Sequence, residues 1–382
     1  MRELKYYMVI ILMAGITGLN CKEVYKPKEI QTNPNILVVD GTVISGNDSS
    51  IITLSRTRNI NDETASLKEL GAHISVLSIS GLEYPFIEQG DGRYVVDQLL
   101  LDTTQQYQLK IITADGNEFR SEIGKVHTSP PIDSVYWNQD SSRNMHVYLN
   151  THDPSNNTRY YRWEYKETWE YRSAFNSTIQ YDPATDMFDF RGLANQIYRC
   201  YQTQASSTIE VVSTKQLSAD IVNKYEVTYI PAGSEKISAM YSDLIRQYAI
   251  PVEAYNFWQN LKKNTEQLGS LFDLQPFTEL GNIKCVNDPA TKCIGFISFT
   301  TLQEKRIFIS HNDLVSWDYQ PYFSDCAVDT VKPDDISKFF PPGGPYYNTP
   351  IGTANGLYLL GTNQCVDCTY HGGSNIKPPF WP

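Results

Sequence analysis

Positive charge is scarce in this chain. It carries 32 Lys and Arg against 43 Asp and Glu, a formal net charge of −11 over 382 residues. An acidic chain without a basic run repels a phosphate backbone, which excludes nucleic acid as a partner. Long apolar runs are scarce too. The stretch Tyr6–Ile16 is apolar but too short to span a bilayer. Reactive-site patterns are missing: there is no Gly-x-Ser-x-Gly elbow, no His-Glu-x-x-His and no phosphate loop, and the 6 histidines are scattered. Any β-rich protein can present two carboxylates at glycosidase spacing, but no convergent acid–base group stands out. The reading is therefore a non-enzyme without cofactor or metal.

What the chain does hold is an ordinary globular composition, 41% hydrophobic and 20% charged, with 26 tyrosines. Tyrosine suits strands that are half buried and half wet. At the amino end, Arg2 and Lys5 head the apolar run and Cys21 follows it. That order reads as a signal peptide over residues 1–20 with lipid attachment at Cys21. Asn20 stands where a small residue is usual before such a cysteine. Residues 21–35, polar and broken by Pro27 and Pro34, read as a lipidated tether.

Residues 36–128 hold short alternating runs at regular spacing. Turn signals at Gly46-Asn47-Asp48, Gly90-Asp91-Gly92 and Asp115-Gly116 separate them. This predicts an antiparallel β-sandwich of immunoglobulin or transthyretin type. Pro130-Pro131 marks a boundary. Residues 131–316 predict a second sandwich with a helical insertion at about 251–268, starting at Pro251. Its apolar stripe falls on Val252, Tyr255, Trp258, Leu261 and Leu268. Cys293–Thr300 and Arg306–Ser310 are expected to complete that second sheet. Residues 317–382, rich in Pro, Gly and Tyr, are expected to form an irregular tail packed on the second domain and pinned by cysteines.

Two groups of side chains stand out. Tyr161, Trp163 and Tyr165 share one side of the run Tyr160–Tyr171, either as core or as an aromatic platform for a glycan or peptide. Beyond Cys21 there are six cysteines: Cys200, Cys285, Cys293, Cys326, Cys365 and Cys368. An even number in an exported chain implies disulfides. Cys285 and Cys293 flank a short turn and are expected to bond across a hairpin. Cys326 is expected to pair with Cys365 or Cys368, which leaves Cys200 for another. A zinc site at Cys365-x-x-Cys368-x-x-His371 is the weaker alternative, lacking a fourth ligand.

Several segments together resemble a known family. They include Tyr25-Lys26-Pro27, Leu37-Val38-Val39-Asp40-Gly41, Leu54-Ser55-Arg56-Thr57 and Pro131-Ile132-Asp133-Ser134-Val135. Ala254-Tyr255-Asn256-Phe257-Trp258, Gly281-Asn282-Ile283 and Lys305-Arg306-Ile307-Phe308-Ile309 follow. The chain closes with Cys365-x-x-Cys368, Gly372-Gly373 and Lys377-Pro378-Pro379-Phe380-Trp381. In this order they resemble the Bacteroidota outer-membrane lipoproteins of domain-of-unknown-function family 4249. The resemblance implies a lipid-anchored outer-membrane protein, often encoded beside a SusC-type TonB-dependent transporter. It brings no catalytic residue. Lys22-Glu23 resembles in part the Lys-acidic tag that sends Bacteroidota lipoproteins to the cell surface, so the protein is expected to face the cell exterior. The function expected is a non-catalytic binding or accessory component of nutrient transport. Direct surface capture of a glycan or peptide, or a structural envelope role, are the alternatives.

Overall fold

A computed structural model describes residues 35–58, 67–266, 280–319, 325–341 and 344–382. Cys21, the segment 1–20 and most of the tether lie outside these residues. The protein is mainly β, with several antiparallel sheets. The amino-terminal part forms β1 (Leu37–Ile44), β2 (Ser50–Arg56), β3 (Leu67–Lys68), β4 (His73–Ser78), β5 (Glu83–Pro85), β6 (Ile87–Glu88), β7 (Arg93–Val96), β8 (Gln106–Ile112), β9 (Glu118–Ser121) and β10 (Gly124–His127). Alternation decides which face is buried: Leu37, Val39 and Val43 of β1 and Ile52 and Leu54 of β2 point to one core.

The next stretch forms β11 (Ile132–Gln139), β12 (Met145–His152), β13 (Tyr160–Arg172), β14 (Ile179–Asp182), β15 (Met187–Phe190), β16 (Arg199–Ala205), β17 (Glu210–Ser213), β18 (Ile221–Ile230) and β19 (Met240–Ala249). Helix α1 (Val252–Glu266) follows, then β20 (Ile283–Cys285), β21 (Cys293–Ile294), β22 (Phe299–Thr300) and β23 (Leu302–Ser310). The sheet β11-β12-β18 and the sheet β16-β13-β19-β23 share a second core, filled by Met145, Val147, Trp163, Tyr241 and Ile245.

The sequence boundary between the two parts is crossed. β22 lies between β1 and β10 and pairs with both in parallel, while β21 pairs with β1 and β20 with β9. Ile283, Cys285, Cys293, Ile297 and Phe299 thus belong to the first core, not to the second sheet. Only the 306–310 part of that expectation falls where it was placed, inside β23 against β19. The detour needs backbones to touch. A Cβ on Gly281 would stand 1.7 Å from the Gly295 oxygen, and one on Gly295 would stand 2.1 Å from the Val39 oxygen. Both glycines hold positive φ, 119° and 145°.

Helix α1 begins where Pro251 offers its carbonyl to the Tyr255 amide at 3.0 Å. Tyr255, Trp258 and Leu261 of the expected stripe pack on the core, but the deepest helix residues are Ala254 and Phe257; Leu268 lies outside the described residues. The small Ala254 lets the helix approach, and Phe257 meets Phe296 at 5.6 Å. This third core joins Ile44 and Phe296 of the first part to Tyr248 and Ile250 of the second.

The carboxy-terminal segment is not irregular. It forms β24 (Asp329–Val331), β25 (Asn348–Ala354) and β26 (Leu357–Thr362), a three-stranded sheet, and the short helix α2 (Asn363–Val366). Asn355 and Gly356, at φ 51° and 76°, make the two-residue turn between β25 and β26. Val331, Phe340 and Leu360 build a small core with Tyr181 and Phe188 of the β14–β15 hairpin. The end of the chain is docked on the second part: Trp381 is buried, edge-on to Tyr201 and Phe308, and Arg306 lies 3.6 Å over the Phe380 ring.

Candidate functional site

Strand β13 places its odd and even residues on opposite faces, and the two faces have different fates. Tyr161 and Trp163 are 0% and 1% exposed. The Tyr161 hydroxyl donates to Asp220 Oδ2 at 2.6 Å, and Trp163 Nε1 donates to Gln247 Oε1 at 3.0 Å. Neither ring can meet a ligand, which corrects the aromatic-platform reading for these two. Tyr165 is half buried and reaches a surface cleft, where its hydroxyl shares a hydrogen bond of 3.3 Å with Thr208.

The cleft is built on the other face of β13. Arg162, Glu164 and Lys166 line its floor with Arg246 of β19, the 206–208 loop between β16 and β17 lines one wall, and Trp258 of α1 and Asp40 of β1 line another. It encloses about 370 Å³, within the range of small-ligand sites. Five separate stretches of chain meet here, because the third core packs α1 with Ile44 of β1, Tyr160 of β13 and Val211 of β17.

Most of the charge in the cleft is paired. Arg162 donates to Glu164 Oε1 at 2.5 Å and to Thr42 Oγ1 at 3.4 Å, with its guanidinium 4.0 Å over the Trp258 ring. Glu164 also accepts from the Tyr248 hydroxyl at 2.9 Å, and Arg246 donates to Glu304 at 2.7 Å. Burial, and then the Glu164 charge, push the Tyr248 hydroxyl well above its ordinary pKa. Asp40 keeps solvent contact at the lip, yet crowding desolvates its carboxyl and raises its pKa. Arg162 opposes that shift and Glu164 adds to it. Asp40 and Lys166 have no hydrogen-bonding or ion-pairing side-chain partner among the described residues.

The cysteines are arranged differently from the hairpin expectation. Cys200 is bonded to Cys368, and Cys326 to Cys365. Cys285 and Cys293 are buried free thiols. They are not cross-strand partners: Cys285 faces Phe119 in β20–β9, whereas Cys293 lies beside Leu37 in β21–β1. The chain does return, with Gly281 bridging Gly295, but each of the two short strands takes its ladder partner from the first sheet. The Cys365 and Cys368 sulfurs are taken up by two different disulfides, and His371 Nε2 lies 3.0 Å from the Gln364 carbonyl, so the zinc alternative is not what these residues form.

Asp40, Arg162, Glu164, Arg246 and Trp258 were not singled out from sequence as site residues. The signal for two of them was the strict alternation of β13, which sets Arg162 and Glu164 opposite the buried aromatics. Nothing local in the sequence brings Asp40 and Trp258 to the same place.

The profile of a family described as Domain of unknown function (DUF4249) matches residues 22–306. No curated protein matches the chain. Among solved structures, a cytokine receptor complex shares 9% identity over 56% of this chain and 90% of its own, with a TM-score of 0.19. A two fibronectin type-III domain segment from chicken tenascin shares 11% identity over 55% of this chain and 88% of its own, with a TM-score of 0.14.

Proposed function

We propose that this chain, which belongs to the DUF4249 family, is a non-catalytic binding or accessory lipoprotein of the outer membrane that works with a TonB-dependent, SusC-type nutrient transporter. The observation that carries the reading is the order of segments. A basic head, a short apolar run and Cys21 come first, then a polar stretch, then a disulfide-bearing β-rich body. Disulfides suit an oxidising compartment outside the cytoplasm. More than one acyl chain on one cysteine holds a protein firmly at a bilayer, at roughly 0.8 kcal/mol per buried CH₂. The family resemblance adds the transporter, and Lys22-Glu23 supports the surface-facing location.

Two measurements test it. Mass spectrometry of the mature amino-terminal peptide is expected to find an acylated Cys21. Affinity purification from membranes is expected to recover a large barrel protein. An unmodified Cys21, or repeated recovery of the chain alone, would count against the proposal. The polar cleft beneath Trp258 also favours direct capture of a ligand by this chain, a role compatible with delivery to a transporter.

A further inference from the structure

From the charges left over in the cleft we infer its ligand class: a short peptide with free termini, bound extended along β13. The inference rests on the binding reading above but not on the lipid anchor. Arg162 is matched by Glu164, and Arg246 by Glu304, so neither is available to hold an anionic ligand. What remains is one carboxylate, Asp40, and one ammonium, Lys166, both exposed.

Their spacing gives the ligand its length. Asp40 shares a side of β1 with Thr42, whose hydroxyl Arg162 reaches at 3.4 Å, and Arg162 is bonded to Glu164. Lys166 stands two to four residues further along the strand, about 7–13 Å at the rise of a β-strand. An extended chain of two to four residues covers that distance. The ligand's ammonium end meets Asp40 and its carboxylate end meets Lys166. A side chain between them lies against Trp258, which lines the same cleft. A neutral glycan would desolvate both charges without supplying a counter-charge to either, and an unpaired charge taken from water is costly. A peptide brings both counter-charges at the right separation.

The test is calorimetric titration of the full chain in detergent micelles. The probes are Ala-Phe-Ala, its N-acetylated and C-amidated forms, and the neutral trisaccharide maltotriose. Free Ala-Phe-Ala is expected to bind, and each cap to weaken it by about tenfold, the loss of one charge-assisted contact. Asp40→Asn is expected to weaken the free peptide by a similar factor and to abolish the effect of acetylation. Lys166→Met should do the same for amidation. Both side chains are exposed, and unchanged far-ultraviolet circular dichroism would show that the variants fold. Caps without effect, absence of tripeptide binding at millimolar concentration, or binding of maltotriose alone in a manner lost in Trp258→Ala would each overturn the inference. Tripeptide binding with no barrel recovered would instead sink the transporter reading and leave this one standing.

Discussion

The side-chain amide of Asn282 stands in for a strand partner of Ile297. Its Nδ2 donates to the Ile297 carbonyl and its Oδ1 accepts from the Ile297 amide, each at 2.9 Å. Asn282 is 7% exposed, so neither bond can be replaced cheaply by water. Asn282→Ala leaves two buried backbone groups unpaired, at about 1–3 kcal/mol each. A loss of about 2–6 kcal/mol in urea unfolding is expected.

Asp243 is fully buried, and only one of its oxygens is hydrogen-bonded, to Thr228 at 2.8 Å. Burial raises its pKa from 3.8 to about 7; the Thr228 bond opposes that shift and the Glu167 charge adds to it. Between these two values the folded protein holds a proton that the unfolded chain releases. Stability from this group is therefore fully present below about pH 4 and falls as pH rises to about 7, by an amount on the order of a few kcal/mol. Urea midpoints at pH 5 and pH 8 are expected to show this drop, and Asp243→Asn to remove most of it. An equal drop in the variant would assign the effect to other groups.

The two kinds of cysteine should separate chemically. Burial pushes the Cys293 thiol up to about 12, with Arg56 opposing, so little of it is thiolate in the folded protein, and Cys285 is shielded by burial. Iodoacetamide is expected to spare Cys285 and Cys293 in the native, unreduced protein and to label both after denaturation. The four disulfide cysteines, Cys200, Cys326, Cys365 and Cys368, should label only after reduction. Labelling at Cys200 or Cys326 without reductant would contradict the pairing.

The two disulfides should differ in weight. Cys200–Cys368 closes a separation of 168 residues and Cys326–Cys365 one of 39. Loop entropy makes the longer closure worth about 1 kcal/mol more to the folded state. Replacing Cys200 and Cys368 together by serine is expected to lower stability further than replacing Cys326 and Cys365. The reverse order would mean that local packing outweighs chain entropy.

At the carboxy end, Trp381→Ala is expected to cost about 3–5 kcal/mol if Trp381 behaves as a core side chain. It should also open the last residues to carboxypeptidase. Digestion of the wild-type end at the same rate would mean that the contacts with Tyr201 and Phe308 do not hold it.

How far the sequence could be read depended on how local the deciding contacts are. The alternation in β4 and β13 and the Asp115-Gly116 turn are visible within a few residues. The β25–β26 hairpin had an equally local signal, Asn355-Gly356, but the many prolines and glycines around it argued for irregular structure. The helix and the packed positions Tyr255, Trp258 and Leu261 are legible, whereas the centre of the buried face at Ala254 and Phe257 is not. Phe296 and Ile44, which choose Phe257 over Val252, arrive from distant parts of the chain. The same reason hid the cleft. Arg162 and Glu164 could be assigned to one strand face, but only the packing of α1 with β1 and β13 brings Trp258 and Asp40 to them. Gly281-Asn282-Ile283 was visible as a motif; its close backbone approach to Gly295 and its bonds to Ile297 were not.

The insertion of β22 sets a timetable for assembly. Thr300 bonds the His127 carbonyl across 173 residues of chain. During synthesis from the amino end, β1 and β10 must wait, edges unsatisfied, until nearly four-fifths of the polypeptide has emerged. The two halves therefore cannot mature one after the other like beads. Any fragment ending before Thr300 would carry a raw strand edge, the kind of surface that drives unfinished chains to stick to one another.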